Sequence, residues 1–208
     1  MKILVTAFGP FGGRAQNASS LALHGLKKNF PHIHTRILPV DSAIAPARLR
    51  QALGRIQPDA LIMLGEAAGS QSIRLETTAW NELNFDIPDI AGRQPGPRPI
   101  SRGAAAIRLS TLPLADIHLR LVSHGHSVSL SDDPGRYLCN QVFYLALGYL
   151  QKHRSRCPAG FIHLPLAPDY GTDRAVDALS RVIGVLGSSG AGIHDTTPEF
   201  VCDLLPAS

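Results

Sequence analysis

Short apolar runs alternate along this chain with longer stretches in which apolar residues recur at helical spacing. Unbroken runs occur at Ile3 to Phe8 and in DALIMLG, residues 59–65, next to Gly and Pro residues. Such a run suits a central strand that is buried on both faces, as strands of parallel sheets usually are. The alternation therefore predicts an α/β layered fold with a largely parallel sheet.

The same patterns predict the individual elements. Asn17 and Ser42 stand where the caps of the first two helices are expected. Strands are expected at 3–8, 34–40, 59–65, 126–130 and 160–165, and helices at 18–29, 42–55, 103–123, within 131–150 and at 171–186.

Two segments differ from this alternation. Between Ser72 and Ile87, apolar and polar residues alternate, which is the period of an exposed or edge strand. Residues 88–99 are so rich in Pro and Gly that they predict a loop, and long loops in compact domains are often functional, so we expect it to fold over a site.

Length and composition predict one globular domain. The chain has 208 residues, of which 44% are apolar, enough for one sizeable core. We assign residues 1–186 to this domain and 187–208 to a C-terminal extension, packed on the surface or partly disordered, because its start is rich in small residues and has little periodicity.

Charge and targeting signals bear on the partners. The first apolar run is too short to span a membrane and no export-type cleavage region follows it, so we expect a cytoplasmic protein without membrane contact. The net charge is +4, but the Lys and Arg residues are scattered, and we expect no nucleic-acid partner. No metal-ligand pattern such as H-x-x-x-H occurs, and we expect neither metal nor cofactor.

The three cysteines, Cys139, Cys157 and Cys202, cannot all pair within one chain and are expected to be free thiols. Cys139 lies near the amino end of its predicted helix, which residues 131–133 can cap. Open N–H groups and the helix dipole favour a thiolate there. Free cysteine is also among the most buried residue types, so position alone leaves a structural role equally open.

A cysteine nucleophile needs a base and a group that orients the base. His163 follows an apolar strand and precedes Pro165 by two residues, where strand residues of open α/β sheets reach the binding crevice, and the other histidines lack that context. Glu76 lies among apolar residues and is a candidate acid that needs a partner. Period-two alternation alone favours a solvent-facing Glu76.

Several motifs occur in one order: TAFGPFGG followed by Asn17, then GEAAGS, LETTAWN, IPD with QP soon after, STLP, GRYLCN and GFIHLPLAP. In this combination the chain resembles, up to about Leu186, the type I pyroglutamyl peptidases, or pyrrolidone-carboxylate peptidases, which are cysteine peptidases. The resemblance implies a single-domain, three-layer α/β/α sandwich of the phosphorylase/hydrolase-like kind around a largely parallel, mixed and twisted sheet.

The resemblance also implies the chemistry. The triad falls on Glu76, Cys139 and His163, and the reaction is hydrolysis of the amide bond after an N-terminal pyroglutamate through a thioacyl-enzyme. Substrates would be pyroglutamyl peptides or small amides, and the protein would form a homo-oligomer, a dimer or a tetramer. The residues implied to bind substrate are Phe8, Phe11, Glu66, Ile87, Tyr137 and Leu138.

The chain departs from the family pattern at positions close to these motifs. The family reads GQAGGR where this chain has GEAAGS, so Glu66, Ala68 and Ser70 replace a glutamine, a glycine and an arginine. Asp86 replaces an arginine before IPD, and Ile90 replaces an asparagine. An inward-facing Asp86 would disfavour a thiolate.

Two alternatives therefore stay open: hydrolysis of another small cyclic amide or N-acyl group, and a retired binding protein. An active enzyme predicts that Cys139 titrates well below ~8.5.

Overall fold

The computed structural model describes residues 1–154 and 156–189. The strands are β1 (Ile3–Phe8), β2 (His34–Leu38), β3 (Ala60–Glu66), β4 (Ile73–Glu76), β5 (Thr78–Trp80), β6 (Ile107–Leu109), β7 (Val128–Ser131) and β8 (Ala159–Leu164). The helices are α1 (Ala18–Asn29), α2 (Ile44–Ile56), α3 (Leu114–Val122), α4 (Leu138–His153), α5 (Ala167–Tyr170) and α6 (Thr172–Ser189).

Six strands form one sheet in the order β2-β1-β3-β8-β4-β7, and β5 and β6 form a separate antiparallel pair. Strands β2, β1, β3 and β8 run parallel to their neighbours. Strand β4 is antiparallel to β8 and parallel to β7. The largely parallel, mixed sheet that the sequence predicts is confirmed.

Both faces of the sheet are covered by helices. Val5 of β1 packs into a core shared with α1, α3 and α6, whereas the neighbouring Leu4 packs into a second core shared with α2 and α4. Consecutive side chains of a strand point to opposite faces, so one apolar run supplies both cores. The α/β/α sandwich is confirmed. No helix in the described part of the chain is long and apolar enough to cross a bilayer.

The prediction of an exposed or edge strand after Ser72 is wrong. Strand β4 lies between β8 and β7, and Ile73, Leu75 and Glu76 are all buried. The alternation misled because the polar positions of this strand form ion pairs inside the protein instead of facing solvent.

The predicted helix at 103–123 is wrong in its first half. Residues Ile107–Leu109 form β6, which pairs with β5, and the helix begins only at Leu114, after Pro113. The prediction missed a short strand because three residues carry too little periodicity to distinguish it from a helix.

Two helix starts also differ from the predictions. Helix α2 is capped by Asp41, whose Oδ1 accepts the N–H groups of Ala43 and Ile44, whereas Ser42 donates its hydroxyl to Asp89. Helix α4 begins at Leu138 without a side-chain cap, so residues 131–133 do not cap it.

The predicted final helix at 171–186 corresponds to α6, which continues to Ser189, past the predicted domain end at residue 186. The short α5 precedes it and was not predicted. Residues 190–208, which hold most of the predicted extension and Cys202, lie outside the described residues. The division into domain and extension stays a prediction.

Candidate active site

Glu76 and His163 form a buried pair on neighbouring strands. Glu76 ends β4, His163 lies near the end of β8, and the two strands pair antiparallel. Glu76 Oε1 lies 2.7 Å from His163 Nδ1, and both side chains are buried. The solvent-facing alternative for Glu76 is therefore wrong. Because the carboxylate accepts from Nδ1–H, Nε2 of the neutral ring is left as the basic nitrogen.

A glycine on the adjacent strand makes room for this pair. Gly65 of β3 lies beside His163 in the sheet register. A Cβ on Gly65 would lie 3.0 Å from His163 Cδ2 and 2.9 Å from the Phe161 ring. The first glycine of GEAAGS is thus required by the close approach of the imidazole.

Arg74 is a member of this cluster that the sequence analysis missed. Its Nε lies 3.4 Å from Glu76 Oε1, and its Nη2 donates to Ser131 Oγ at 2.6 Å. Arg74 and Glu76 are two residues apart in a strand and so share a face, which is the signal that could have paired them. The guanidinium offsets the charge of a carboxylate that is fully buried.

Cys139 is the second residue of α4 and lines the same cavity as His163. The N–H groups of the first helical turn have no intrahelical acceptor, and Tyr137 provides no side-chain cap. In the described part of the chain Cys139 Sγ has no hydrogen bond to His163. The structure therefore brings thiol, imidazole and open N–H groups to one cavity, with the thiol not yet engaged by the base.

The ionisation of Cys139 differs from the prediction. Burial, followed by the charges of Glu76 and Glu66, raises the pKa of the thiol to about 12. This shift is opposite in direction to the expected pKa well below ~8.5. The helix dipole and N–H groups favour the thiolate, whereas desolvation and the two nearby carboxylates favour the thiol.

The cavity at this site has a volume of about 470 Å³. All the residues predicted to bind substrate line it, together with the backbone of the GEAAGS segment at Ala67 and Ala68. Those predicted residues are Phe8, Phe11, Glu66, Ile87, Tyr137 and Leu138. A volume of this size and an apolar lining with few polar groups are typical of small-molecule sites.

Aromatic rings form one wall of the cavity. Phe11 and Tyr137 are stacked with ring centroids 5.7 Å apart, and Phe85 lies 4.3 Å from Tyr137. The Tyr137 hydroxyl donates to the Pro88 carbonyl at 3.3 Å, so the predicted loop at 88–99 supports this wall. Asp89 of the same loop accepts hydrogen bonds from Ser42. Burial, with the nearby charge of Asp89, raises the pKa of Tyr137 to about 12, so the hydroxyl stays protonated.

Glu66 lines the cavity, but both of its carboxylate oxygens are held by the protein. Oε1 accepts from Arg14 Nη2 at 2.5 Å, and Oε2 accepts from Ala18 N at 2.8 Å, the first residue of α1. The guanidinium of Arg14 also lies 5.4 Å from the Phe11 ring centroid. The charge introduced by Glu66 is thus offset by Arg14, which the sequence analysis did not single out.

A second carboxylate-bound histidine lies outside the cavity. His126 is buried, with Nδ1 3.0 Å from the Tyr170 hydroxyl and Nε2 2.9 Å from Asp177 Oδ2. His126 lies before the start of β7 and does not line the cavity, so it lacks the strand-end position of His163, although it is buried and not on the surface as predicted. This cluster joins the start of β7 to α6 and does not reach Cys139.

Comparisons with known proteins by sequence agree on one family. The family model described as pyroglutamyl peptidase matches residues 1–183. The pyrrolidone-carboxylate peptidase of Pyrococcus furiosus is 36% identical over 177 residues, which are 84% of this chain and 85% of that protein. Pyrrolidone-carboxylate peptidase 1 of Caldanaerobacter subterraneus is 34% identical over 171 residues, which are 81% of this chain and 84% of that protein.

Solved structures agree with the sequence comparisons. The structure of pyrrolidone carboxyl peptidase from Pyrococcus furiosus matches with a TM-score of 0.84 and 32% identity, over 91% of this chain and 99% of that one. Pyroglutamyl peptidase I from Bacillus amyloliquefaciens matches with a TM-score of 0.80 and 29% identity, over 87% and 92% of the two chains. The chain therefore belongs to the pyroglutamyl peptidase family.

Proposed function

We propose that the protein is a cysteine peptidase that removes an N-terminal pyroglutamyl residue, with Cys139 as nucleophile, His163 as general acid and base, and Glu76 as the group that orients the imidazole. The observation that carries the proposal is the buried Glu76–His163 pair, 2.7 Å apart, which opens on the same aromatic-walled cavity as Cys139. Family membership supports the same reaction.

The apolar side of the cavity suits a flat, neutral lactam ring. Phe8, Phe11, Tyr137 and Leu138 provide apolar surface, and the backbone N–H and C=O of Ala68, which have no hydrogen-bond partner among the described residues, are available for the ring C=O and N–H. A free N-terminal glutamate would bring two charges into this apolar setting, which is costly without partners. This apolar side of the cavity, the ring slot, therefore favours pyroglutamate over an uncyclised glutamate.

The first half of the reaction forms a thioester. Cys139 Sγ attacks the carbonyl carbon of the pyroglutamyl group while its proton moves to His163 Nε2. The open N–H groups at the start of α4 can stabilise the oxyanion that develops. His163 then gives the proton to the leaving amine, the C–N bond breaks, and the shortened peptide departs.

The second half regenerates the enzyme. A water molecule attacks the thioester carbon and gives a proton to His163, and this proton returns to sulfur as the C–S bond breaks, which releases pyroglutamate. Throughout, Glu76 holds Nδ1–H, so that Nε2 faces the reaction, and its charge stabilises the imidazolium. Because burial raises the pKa of the Cys139 thiol, its deprotonation depends on His163, which takes the proton as the sulfur attacks.

The test is release of a fluorescent amine from a pyroglutamyl amide by the purified protein. We expect turnover that Cys139→Ser abolishes and that Glu76→Gln lowers about 10²- to 10⁴-fold in kcat, because the imidazole loses its orientation and charge partner. Cys157→Ser, which alters a buried thiol outside the cavity, is the matched control and should retain activity. Absence of turnover by the folded wild-type protein would refute the proposal.

The family resemblance also leads us to propose a cytoplasmic homo-oligomer, a dimer or a tetramer. Light scattering on the purified protein measures the assembly directly. A monomer at working concentration would contradict it.

A further inference from the structure

Asp86 contributes a negative charge to the cavity and is solvent-exposed. Among the described residues, no hydrogen bond or ion pair reaches its carboxylate. The side chain is thus available to a ligand.

The backbone at Asp86 is held in place although the side chain is free. Gln94 Nε2 donates to the carbonyl oxygens of Phe85 at 3.0 Å and of Asp86 at 2.9 Å. The Phe85 side chain is buried against Tyr137, in the aromatic wall. The Asp86 backbone is therefore held beside the cavity, and its side chain projects from this fixed backbone.

The other charged side chains that line the cavity are already compensated. Glu66 is paired with Arg14, and Arg74 is paired with Glu76, which also holds His163. Among the charged lining residues that the structure describes, Asp86 is the one whose charge the protein leaves uncompensated. The cavity therefore carries an excess of negative charge toward an incoming substrate.

The pyroglutamyl ring carries no charge of its own, because its lactam nitrogen is an amide and does not take up a proton at neutral pH. A charge beside the ring slot therefore acts electrostatically on a charged side chain in the part of the substrate that lies beyond the cleaved bond. We propose that Asp86 is a specificity-determining residue that favours pyroglutamyl peptides with a positively charged side chain directly after the pyroglutamate. This inference rests on the proposed peptidase function and adds a substrate class to it.

The expected preference is modest. Exposed ion pairs contribute up to about 1 kcal/mol, which corresponds to about a threefold to fivefold change in kcat/KM. The preference should weaken as salt is raised, because screening acts strongly on exposed charges.

The experiment compares kcat/KM for C-terminally amidated pyroglutamyl dipeptides in two matched pairs: Lys against Met, and Glu against Gln as the second residue. The proteins are the wild type, Asp86→Asn, and Asp116→Asn as a control that removes an exposed acid of α3 outside the cavity. We expect the Lys/Met ratio to fall about threefold to fivefold in Asp86→Asn and the Glu/Gln ratio to rise, while Asp116→Asn leaves both ratios as in the wild type.

The possible results distinguish the specificity inference from the peptidase function on which it rests. Turnover of all four peptides with the same ratios in wild type and Asp86→Asn would overturn the specificity inference and leave the peptidase function standing. Equal changes in Asp86→Asn and Asp116→Asn would also overturn it, since the effect would then come from net charge. Failure of the wild type to cleave any of the peptides would overturn both.

Discussion

Arg14 and Glu66 tie together two segments that border the cavity. Glu66 ends β3, whereas Arg14 belongs to the turn that carries Phe11. Their ion pair, 2.5 Å long, holds the Phe11 turn against the sheet, and Ala18 N anchors the other oxygen of Glu66. The acid at position 66 is therefore compatible with a neutral slot because its charge is offset by Arg14 and by the start of α1.

Loss of Arg14 should weaken catalysis in two ways, because the ring slot loses its support and the Cys139 thiol faces an uncompensated negative charge. Arg14→Gln releases the Phe11 turn and leaves the Glu66 charge uncompensated near Cys139, so we expect kcat/KM for a pyroglutamyl amide to fall about fivefold. Adding Glu66→Gln should recover part of the loss, because the amide still accepts from Ala18 N without a charge. Steady-state kinetics measure both effects.

The control for this prediction is Arg181→Gln, which removes an arginine of similar exposure and its ion pair on α6. Its kcat/KM should match the wild type. If the double variant is as impaired as Arg14→Gln alone, the charge-compensation account of position 66 is incorrect.

Local signatures made Cys139, His163 and Glu76 candidates: a helix start, a strand end, and a charge among apolar residues. Position alone left a structural role open for Cys139 and favoured a solvent-facing Glu76, so it was the family resemblance that joined the three into a triad. The partners of these residues could not be predicted. Arg74 reaches Glu76, and Arg14 reaches Glu66, only because of strand order and turn geometry. The thiol pKa was also missed, since burial and neighbouring carboxylates appear only in three dimensions.

At the scale of elements, α1 and α6 pack closely at a glycine. A Cβ on Gly25 of α1 would lie 2.5 Å from Cγ2 of Val176 on α6, whereas a Cβ on Gly184 of α6 would meet no atom of another element within 4 Å in the described part of the chain. The two glycines lie in helices, where alanine is favoured by about 1 kcal/mol when there is room for its methyl group. Packing thus decides whether alanine raises or lowers the free energy of unfolding at each position.

Gly25→Ala should lower the free energy of unfolding by about 1–3 kcal/mol, because the methyl group overpacks the α1–α6 contact. Gly184→Ala should instead raise it by about 0.5–1 kcal/mol. Urea denaturation of the two variants measures both values.

A second substitution tests the cause of the Gly25→Ala effect. Val176→Ala removes the obstructing methyl groups and should restore part of the stability when combined with Gly25→Ala. If Gly25→Ala and the wild type have the same free energy of unfolding, α1 and α6 move apart without loss of stability and the overpacking explanation is wrong.

Long elements were predictable from periodicity, but the short β5 and β6 were not. Strand β6 spans Ile107–Leu109, and two of its side chains, Ile107 and Leu109, are exposed, so its sequence lacks the burial pattern of a core strand. The internal position of β4 depended on where β7 and β8 pair with it, which local alternation does not encode.

At the scale of the molecule, a buried acid joins the 88–99 loop to the α2 start. Burial alone would raise the pKa of Asp89, but hydrogen bonds from Ser42, Arg93 and Ala91 hold it at about 2. Since the folded-state pKa lies below the unfolded value of ~3.9, Asp89 stabilises the fold in full above pH ~4. That stabilisation is lost as the pH falls toward about 2.

Asp89→Asn should therefore lower the free energy of unfolding by about 1–3 kcal/mol at neutral pH, because charge-assisted hydrogen bonds to Ser42 and Arg93 are weakened. The variant should also lose less stability than the wild type between pH ~4 and about 2. Urea midpoints measured across this range, with Asp116→Asn as the exposed control, test both points. Parallel pH profiles for Asp89→Asn and wild type would contradict the prediction.

The central claim is that Cys139 carries the pyroglutamyl group during turnover, and the most direct measurement is the site of that acyl group. The protein is mixed with an activated pyroglutamyl ester, quenched in acid during turnover, digested and analysed by mass spectrometry. The account predicts the mass of one pyroglutamyl group on the peptide that contains Cys139, absent in Cys139→Ser. Continued turnover with the adduct on another residue, or with the same adduct in Cys139→Ser, would contradict it.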